Sequence, residues 1–275
     1  MANYTAADVK ALRDRSGAGM MDCKGALDEA NGDIEKAMEV LRVKGLKGVT
    51  KREGRTTSNG LIVARVANGT GTLIELACET DFVAKAENFI ALADAVADAV
   101  VAAGATDVES ALAAKRGSAT VADAITDQAA ILGEKVELRR VASLKDAAVD
   151  AYLHRTSKDL PPQVGVLVAY SGSDAETAHD VAVHIAAFSP TVLSREDVDA
   201  ETVATERRIA EETARNEGKP EAALSKIVEG RVTGFFKENC LLDQDFAKDN
   251  KQSVAKVLET AGIKVSAFLR YRVGA

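Results

Sequence analysis

Hydrophobic residues recur at helical spacing through the first 45 positions of the chain. Val9 and Leu12 form the apolar stripe of a first helix, which Thr5 and Asp8 begin as a capping box. Asn31 and Gly32 predict the end of a second helix, and a third follows from an N-cap at position 33. The other inward positions are Ala26, Leu27, Ala30, Ile34, Ala37, Met38 and Leu41. Residues 1–45 are therefore predicted to form a small bundle of three helices.

The pattern changes where this bundle ends. Glycines at positions 45, 48 and 54 are interspersed with the basic residues Lys47, Lys51, Arg52 and Arg55. Glycine-rich polar segments behave as flexible chain. We therefore predict a basic, flexible linker over residues 46–58.

From position 60 the hydrophobic period becomes two, as in a β-strand. The runs 61–66 and 73–78 flank Asn68-Gly69, the strongest short-range signal for a β-hairpin. The chain then turns into a helix with an inward face of Phe89, Leu92, Val96 and Val100. Two strands and a helix thus form the first half of the predicted core.

The same order returns later in the chain. The run 136–141 alternates like a half-exposed strand, and 164–170 is a continuous apolar run typical of an interior strand. Ser173 and Glu176 then predict a capping box for a helix with inward residues Ala178, Val181, Ile185 and Phe188. We predict two β-β-α halves, 60–103 and 134–188, with the alternating run 268–273 as a further strand of the second half.

Two helical segments interrupt the second half. Residues 201–217 and 221–238 flank the turn at 218–220, and the second segment carries Leu224, Ile227, Val228, Arg231 and Phe235 on one face. The first segment has only Val203, Ile209 and Ala210 as apolar anchors, which is too thin a stripe for a helix buried in a bundle. A projecting helical hairpin is predicted over 201–238.

Together these elements predict an α+β chain with a two-part core and antiparallel sheets. The predicted divisions are a helical bundle at 1–45, a linker at 46–58, a first core subdomain at 59–133, a second core subdomain at 134–200 and 239–275, and a helical-hairpin arm at 201–238.

Composition argues against several classes of function. The 275 residues are 47% hydrophobic and 28% charged, as in ordinary globular proteins, and neither a signal peptide nor a run of 18 apolar residues occurs. The net charge of −7 argues against a nucleic-acid backbone as the partner. Cys23, Cys78 and Cys240 include no CxxC pair, so reduced thiols are expected. We predict a cytoplasmic protein that contacts neither nucleic acid nor a membrane.

Residues suited to covalent catalysis are few. His179 and His184 are five positions apart, about 140° around a helix, so they do not share a metal; a structural role is favoured for His184. Cys78 ends a strand without a signature that places a base beside it, which favours an inert buried thiol. Phosphate-loop, dinucleotide-binding, zinc-protease and serine-hydrolase motifs are absent from the sequence. We expect no enzymatic activity, no cofactor and no metal.

Two segments carry stronger signals for binding. Met20-Met21 follows a glycine-containing turn, where thioether side chains either complete the bundle core or adapt to a partner. The segment Thr80 to Val83 lies at a strand-to-helix corner. There Thr80 suits a helix cap and Asp81 the positive start of a helix. Phe82 precedes the core position Phe89 by seven residues, so it is either the first core residue or a ring presented outward.

These two segments resemble those of the bacterial elongation factor Ts family. The resemblance is carried by Leu12 to Lys24 with Ala26-Leu27, and by Cys78 to Lys85. Weaker similarity extends over 139–142, 165–168, 184–187 and 218–231, so it covers essentially the whole chain.

The resemblance implies a guanine nucleotide exchange factor for elongation factor Tu. It also implies a bundle similar to ubiquitin-associated domains, a two-part α+β core and a coiled-coil arm. In this family the segment matching Thr80, Asp81, Phe82 and Val83 enters the GTPase near its Mg²⁺ site and displaces the ion, with the phenylalanine as a wedge. The resemblance assigns partner contacts to Lys10, Arg13, Met20, Met21, Lys24 and His154.

Two hypotheses of function follow. In the first, the chain binds elongation factor Tu with GDP and promotes GDP release, and self-association occurs through the 201–238 arm. In the alternative, the chain is a scaffold whose helical bundle binds peptides or ubiquitin-like folds and whose core dimerises. Loss of exchange activity on removal of the Phe82 ring distinguishes the first from the second.

Overall fold

The computed structural model describes residues 3–275 of the chain, which group into two compact units. The first unit contains the described residues up to Ser143 together with Leu153–Gly165 and Tyr271–Ala275. The second contains Leu144–Tyr152 and Val166–Arg270. Helices and antiparallel strands are both abundant, so the predicted α+β class is confirmed.

Three helices open the first unit: α1 (Ala6–Ser16), α2 (Met20–Glu29) and α3 (Ile34–Arg52). The predicted capping box is present, since Thr5 and Asp8 exchange side-chain to main-chain hydrogen bonds at the start of α1. Asn31 and Gly32 have the positive φ angles expected where a helix ends. The three helices enclose a core of Val9, Leu12, Cys23, Ala26, Leu27, Ala37 and Leu41.

Helix α3 is longer than the sequence pattern indicates. It continues to Arg52, so the first seven residues of the predicted flexible linker, 46–52, are helical and the linker prediction is wrong there. The reason is a close helix contact with α7 (Val121–Leu132), because a Cβ at Gly45 would overlap the main-chain carbonyl of Ala130. Arg42 of α3 also pairs with Asp127 of α7 at 2.6 Å. The glycine that suggested flexibility instead allows two helices to approach closely.

The first sheet begins with the predicted hairpin. Strands β1 (Asn59–Ala67) and β2 (Thr70–Cys78) pair antiparallel around Asn68-Gly69, and both turn residues have positive φ (51° and 71°). One face is covered by α4 (Asp81–Ala84) and α5 (Glu87–Ala103), and the predicted inward residues of α5 are all buried. The unit is completed by α6 (Val108–Ala113), the short strands β3 (Lys115–Arg116) and β4 (Ala119–Thr120), α7, and β5 (Val136–Lys145).

Strand β5 belongs to the first sheet, which corrects the predicted repeat. The strand order is β1-β2-β5, so the run 136–141 does not begin a second β-β-α half. The physical reason is the carboxylate of Glu75 in β2, which is fully buried and accepts hydrogen bonds from Arg140 at 2.6 Å and Arg139 at 3.5 Å in β5. A buried carboxylate is costly unless it is paired, and β5 supplies the partners.

The second sheet is formed by β6 (Ala148–His154), β7 (Val164–Ser171) and β10 (Lys264–Arg272) in the order β10-β7-β6. The predicted strands at 164–170 and 268–273 are therefore confirmed, with β7 at the centre. Strand β6 was not predicted from the sequence, and all of its positions are intermediate or exposed.

Helix α8 (Ala175–Phe188) packs on this sheet with Ala178, Val181 and Ile185 buried, as predicted. Two details are corrected. The N-cap is Asp174, which accepts a hydrogen bond from the Thr177 main-chain N–H at 3.0 Å, rather than Ser173. Phe188 is 54% exposed, because the helix ends there at Ser189, whose φ is 54°.

The helical hairpin is present close to its predicted bounds. Helices α9 (Ala200–Asn216) and α10 (Glu221–Asn239) pack through a small interior of Ala210, Ala214, Leu224, Val228 and Val232. Cross-helix ion pairs of Arg207 with Glu229 and of Arg231 with Glu217 lie outside it. The chain continues through β8 (Asp245–Phe246), β9 (Asp249–Ser253) and α11 (Val254–Ala261), with 3-10 turns at Arg195–Asp197 and Leu241–Asp243.

Across residues 3–275, none of the helices combines the length and the apolar character required to cross a bilayer.

Gly45→Ala is expected to lower the free energy of unfolding by roughly 1–3 kcal/mol, because the added methyl group overlaps the Ala130 carbonyl. Urea unfolding followed by circular dichroism measures the change. Gly25→Ala in α2 is the matched control, since open space surrounds Gly25 and helix propensity favours alanine by about 0.5–1 kcal/mol. Equal responses of the two variants would contradict the proposed close approach of α3 and α7.

Candidate functional site

The segment Thr80–Val83, which we call the corner, lies where the chain leaves β2. Thr80 is the N-cap of α4, which contains only the four residues Asp81–Ala84. So short a helix is not stable by its own hydrogen bonds. Its position must therefore come from contacts with the rest of the unit.

The corner has one buried side and one exposed side. Val83 and Ala84 are 9% and 1% exposed and join the core cluster that contains Phe89. The Phe82 side chain is 73% exposed. Of the two alternatives left by the sequence, the outward ring is the one observed. The seven-residue spacing between Phe82 and Phe89 does not place both rings on one helix face, because the two residues lie on separate helices, α4 and α5.

Two glutamates that are not among the predicted site residues, Glu79 and Glu134, hold the corner. One carboxylate oxygen of Glu134 accepts the main-chain N–H groups of Glu79 and Thr80 at 3.1 and 3.0 Å, and the other accepts the Thr80 hydroxyl at 2.6 Å. In return, Glu79 accepts the main-chain N–H of Lys135 at 2.7 Å. No local motif identifies Glu134, since it lies 54 residues from Thr80 in sequence.

Lys85 contacts two residues of the corner, Phe82 and Asp81. Its ammonium nitrogen lies 4.6 Å from the centre of the Phe82 ring and 3.2 Å from a carboxylate oxygen of Asp81. A cation over an aromatic face at this distance is attracted to the ring. The ring is therefore accompanied by a paired positive and negative charge at the surface.

The other predicted partner contacts of the bundle are also exposed. We call Lys10, Arg13, Met20, Met21 and Lys24 the bundle face. Met20 is 45% and Met21 75% exposed, so these thioethers do not complete the bundle core. Leu12, Cys23 and Leu27 fill that interior instead.

The bundle contacts helices α5 and α7 close to the corner. The Asn88 side chain at the start of α5 donates to the Ser16 carbonyl at the end of α1, at 3.0 Å. Gly17, where α1 ends with φ of 73°, lies against Asn88 and Leu132, so a side chain there would clash. The turn that precedes Met20 is thus held against the helix that follows Phe82.

The histidines lie on other elements. His154 is exposed at the end of β6, and its main-chain carbonyl accepts a hydrogen bond from the Gln163 main-chain N–H at 2.9 Å. His179 pairs with Asp150 at 3.0 Å. His184 is fully buried between Gln244 and the main-chain N–H of Ala247, and burial lowers its pKa, so the predicted structural role is confirmed. Among residues 3–275, no group of acidic, histidine or cysteine side chains is arranged to hold a metal.

The family model and the full-length relatives that match this chain all carry the same name. A family model described as elongation factor TS matches residues 79–275. Proteins named elongation factor Ts from Micrococcus luteus and Clavibacter michiganensis are each 65% identical to the chain, and one from Arthrobacter is 63% identical, with all of both chains covered. The chain belongs to the elongation factor Ts family.

The match to the elongation factor Ts model begins at Glu79, immediately before the corner. The bundle face lies outside that match, but the full-length relatives named elongation factor Ts extend over it. Both groups of predicted contacts are therefore within the part of the chain that resembles other members of the family.

The thiol nearest the corner is held in its neutral form. Burial, and secondly the negative charge of Glu134, raises the pKa of Cys78 to about 12. Its Sγ–H group donates to the Thr80 carbonyl at 3.3 Å. Because the thiolate is the reactive form, Cys78 is expected to be inert and to serve as one more main-chain contact of the corner.

A variant with Cys23→Ala and Cys240→Ala isolates the Cys78 thiol. At pH 8 the folded variant is expected to react with Ellman's reagent roughly 1000-fold more slowly than the urea-unfolded chain, because far less thiolate is present.

Folding raises the pKa of Cys78 from 9.0 to about 12. The contribution of the neutral thiol to the free energy of unfolding is therefore complete below pH 9 and is lost as the pH rises toward 12. Equal reaction rates in the folded and unfolded chain would contradict this assignment.

Proposed function

We propose that the protein releases GDP from elongation factor Tu by inserting the corner beside the Mg²⁺ site of the GTPase. As a member of the elongation factor Ts family, the chain is a guanine nucleotide exchange factor for elongation factor Tu in translation elongation. The observation that supports the insertion is the Phe82 ring, which is 73% exposed above a buried Val83. A side chain that inserts into a partner must be exposed in the free protein, and buried neighbouring residues must hold it in position.

Exchange requires only that the factor prefer the nucleotide-free GTPase. If it binds that state more tightly by a given factor, linkage requires that it weaken GDP binding by the same factor. A preference of 10⁴ corresponds to about 5.5 kcal/mol. One buried aromatic contact supplies on the order of 2–4 kcal/mol of this, and the remainder must come from other contacts.

The corner has the chemistry to disturb a bound cation. The GTPase holds GDP through main-chain amides, a lysine and Mg²⁺, so loss of the ion weakens the other contacts to the phosphates. In the proposed mechanism, Thr80 and Val83 position Phe82, and its ring displaces the residues that orient Mg²⁺. Asp81 and Lys85 enter beside it as an ion pair. The chain itself undergoes no covalent change and turns over no substrate.

The bundle face is proposed to provide the remaining affinity. Lys10, Arg13 and Lys24 present three positive charges, and Met20 and Met21 present flexible apolar side chains that fit a helix of the partner. We propose that this bundle is similar to ubiquitin-associated domains. His154 is proposed as a separate contact from the end of β6. We propose that the chain acts in the cytoplasm, and neither nucleic acid nor a membrane has a role in the proposal.

The hairpin of α9 and α10 is proposed to act as a coiled-coil arm through which copies of the chain associate. Its interior contains few residues, with a buried cluster of only Ala210, Val228 and Val232, and Ile209 is 44% exposed on α9. A helix pair with so small an interior gains stability when a second apolar surface covers it.

Phe82→Ala is expected to slow the release of labelled GDP from elongation factor Tu by roughly 30- to 700-fold, since loss of a central aromatic contact costs on the order of 2–4 kcal/mol. Stopped-flow fluorescence measures the rate. Phe188→Ala is the matched control, because Phe188 is 54% exposed but lies on α8, and it is expected to leave the rate unchanged. A fully active Phe82→Ala variant would disprove the insertion of this ring.

Replacement of residues 201–238 by a short glycine-serine link is expected to abolish concentration-dependent association in sedimentation equilibrium. GDP release should persist, because neither the corner nor the bundle face lies in the deleted segment. Association that survives the deletion would exclude the arm as the contact, and loss of exchange would show that the arm binds the GTPase.

A further inference from the structure

We infer that Glu134 is a positioning residue for exchange, acting through the corner rather than by touching the GTPase. The inference rests on the proposed insertion of Phe82. It concerns a residue on the loop between α7 and β5, which neither the sequence motifs nor the family resemblance singles out.

The contacts of Glu134 are concentrated on the corner. Its carboxylate accepts three hydrogen bonds, from the N–H groups of Glu79 and Thr80 and from the Thr80 hydroxyl, at distances of 2.6–3.1 Å. Hydrogen bonds to a charged acceptor are about twice as strong as those between neutral groups. By contrast, the bond within the helix cap, from the Val83 N–H to the Thr80 hydroxyl oxygen, is 3.4 Å long. Glu134 is therefore the main polar restraint on the start of α4.

A second carboxylate makes the restraint reciprocal. Glu79 accepts the N–H of Lys135, and it is paired with Arg55 at 3.1 Å. The segments 79–80 and 134–135 are thus joined by hydrogen bonds in both directions. A sideways shift of the corner would break bonds at both segments.

The charge distribution distinguishes the two glutamates. The charge of Glu79 is balanced by a guanidinium group, whereas Glu134 is stabilised by the N–H and O–H donors of the corner. Removing Glu134 leaves the main-chain N–H groups of Glu79 and Thr80 without this acceptor, although the apolar anchors Val83 and Ala84 remain. The expected result is a folded protein in which the four-residue helix and its ring are displaced.

The test is stopped-flow release of labelled GDP from elongation factor Tu at increasing concentrations of the exchange factor. Glu134→Ala is expected to lower the saturating rate by roughly 10- to 100-fold, because a displacement of about 1 Å in a positioned group costs on the order of 100-fold. The half-saturating concentration should change little, since the bundle face is intact. Glu134→Gln should restore most of the rate, because its amide oxygen accepts the two N–H groups and its NH₂ group donates to the Thr80 hydroxyl oxygen.

Glu137→Ala controls for a general loss of stability. Glu137 lies three residues farther along the same segment and pairs with Arg139 and Lys135 rather than with the corner. This variant should keep its saturating rate even where thermal unfolding shows a lower melting temperature. A loss of rate equal to that of Glu134→Ala would overturn the inference.

A double variant separates this inference from the proposed function. If Glu134 acts only through the ring, Phe82→Ala with Glu134→Ala is no slower than Phe82→Ala alone. A multiplicative further loss would overturn the positioning role. If Phe82→Ala is slow while Glu134→Ala is fully active, the inference fails and the insertion stands. If Phe82→Ala itself is fully active, the insertion fails.

Discussion

The buried carboxylate of Glu75 determines how the first unit is assembled. It lies in β2 with no exposed surface, and the guanidinium groups of Arg139 and Arg140 from β5 balance its charge. It also accepts the main-chain N–H of Gly274 at 3.2 Å, so the last residues of the chain join the same group. Removing one partner of such a buried ion pair leaves the other partner as an uncompensated charge in the interior. The pairing of β2 with β5 is therefore strongly specified, and with it the position of the residues that precede β5.

That pairing places Glu134 beside the residues that follow β2. A helix of four residues cannot hold an aromatic side chain in solvent by itself. Here the apolar contacts of Val83 and Ala84, the hydrogen bonds to Glu134 and the thiol of Cys78 all restrain it. The exposed Phe82 ring is removed from solvent, and so contributes binding energy, only when a partner covers it. Preorganisation of this kind lowers the entropy lost on association.

Local patterns predicted the elements that local forces determine. The Thr5 capping box, the Asn68-Gly69 turn and the buried stripe of α5 depend on residues that are close in sequence, and all three are present. The patterns failed where a distant group decided the outcome. Gly45 by itself indicates flexible chain, and only its contact with α7 explains the helix. The pattern places β5 in the wrong half because Arg140, which pairs with Glu75, lies 65 positions away in sequence. Glu134 has no local signature. The sequence does not determine whether the Phe82 ring faces outward, because its spacing to Phe89 suits either orientation.

The contact at Gly45 has a consequence for recognition. Main chain lies against main chain there, so α3 and α7 are held close together, and the hydrogen bond from the Asn88 side chain to the Ser16 carbonyl joins the end of α1 to the helix that follows the corner. These two contacts restrict the distance between the exposed methionines of α2 and the exposed ring of Phe82. In the proposed complex, a GTPase whose own binding features are spaced differently would be contacted by only one of these two groups, so selection among related nucleotide-binding proteins would depend on distance as well as on chemistry.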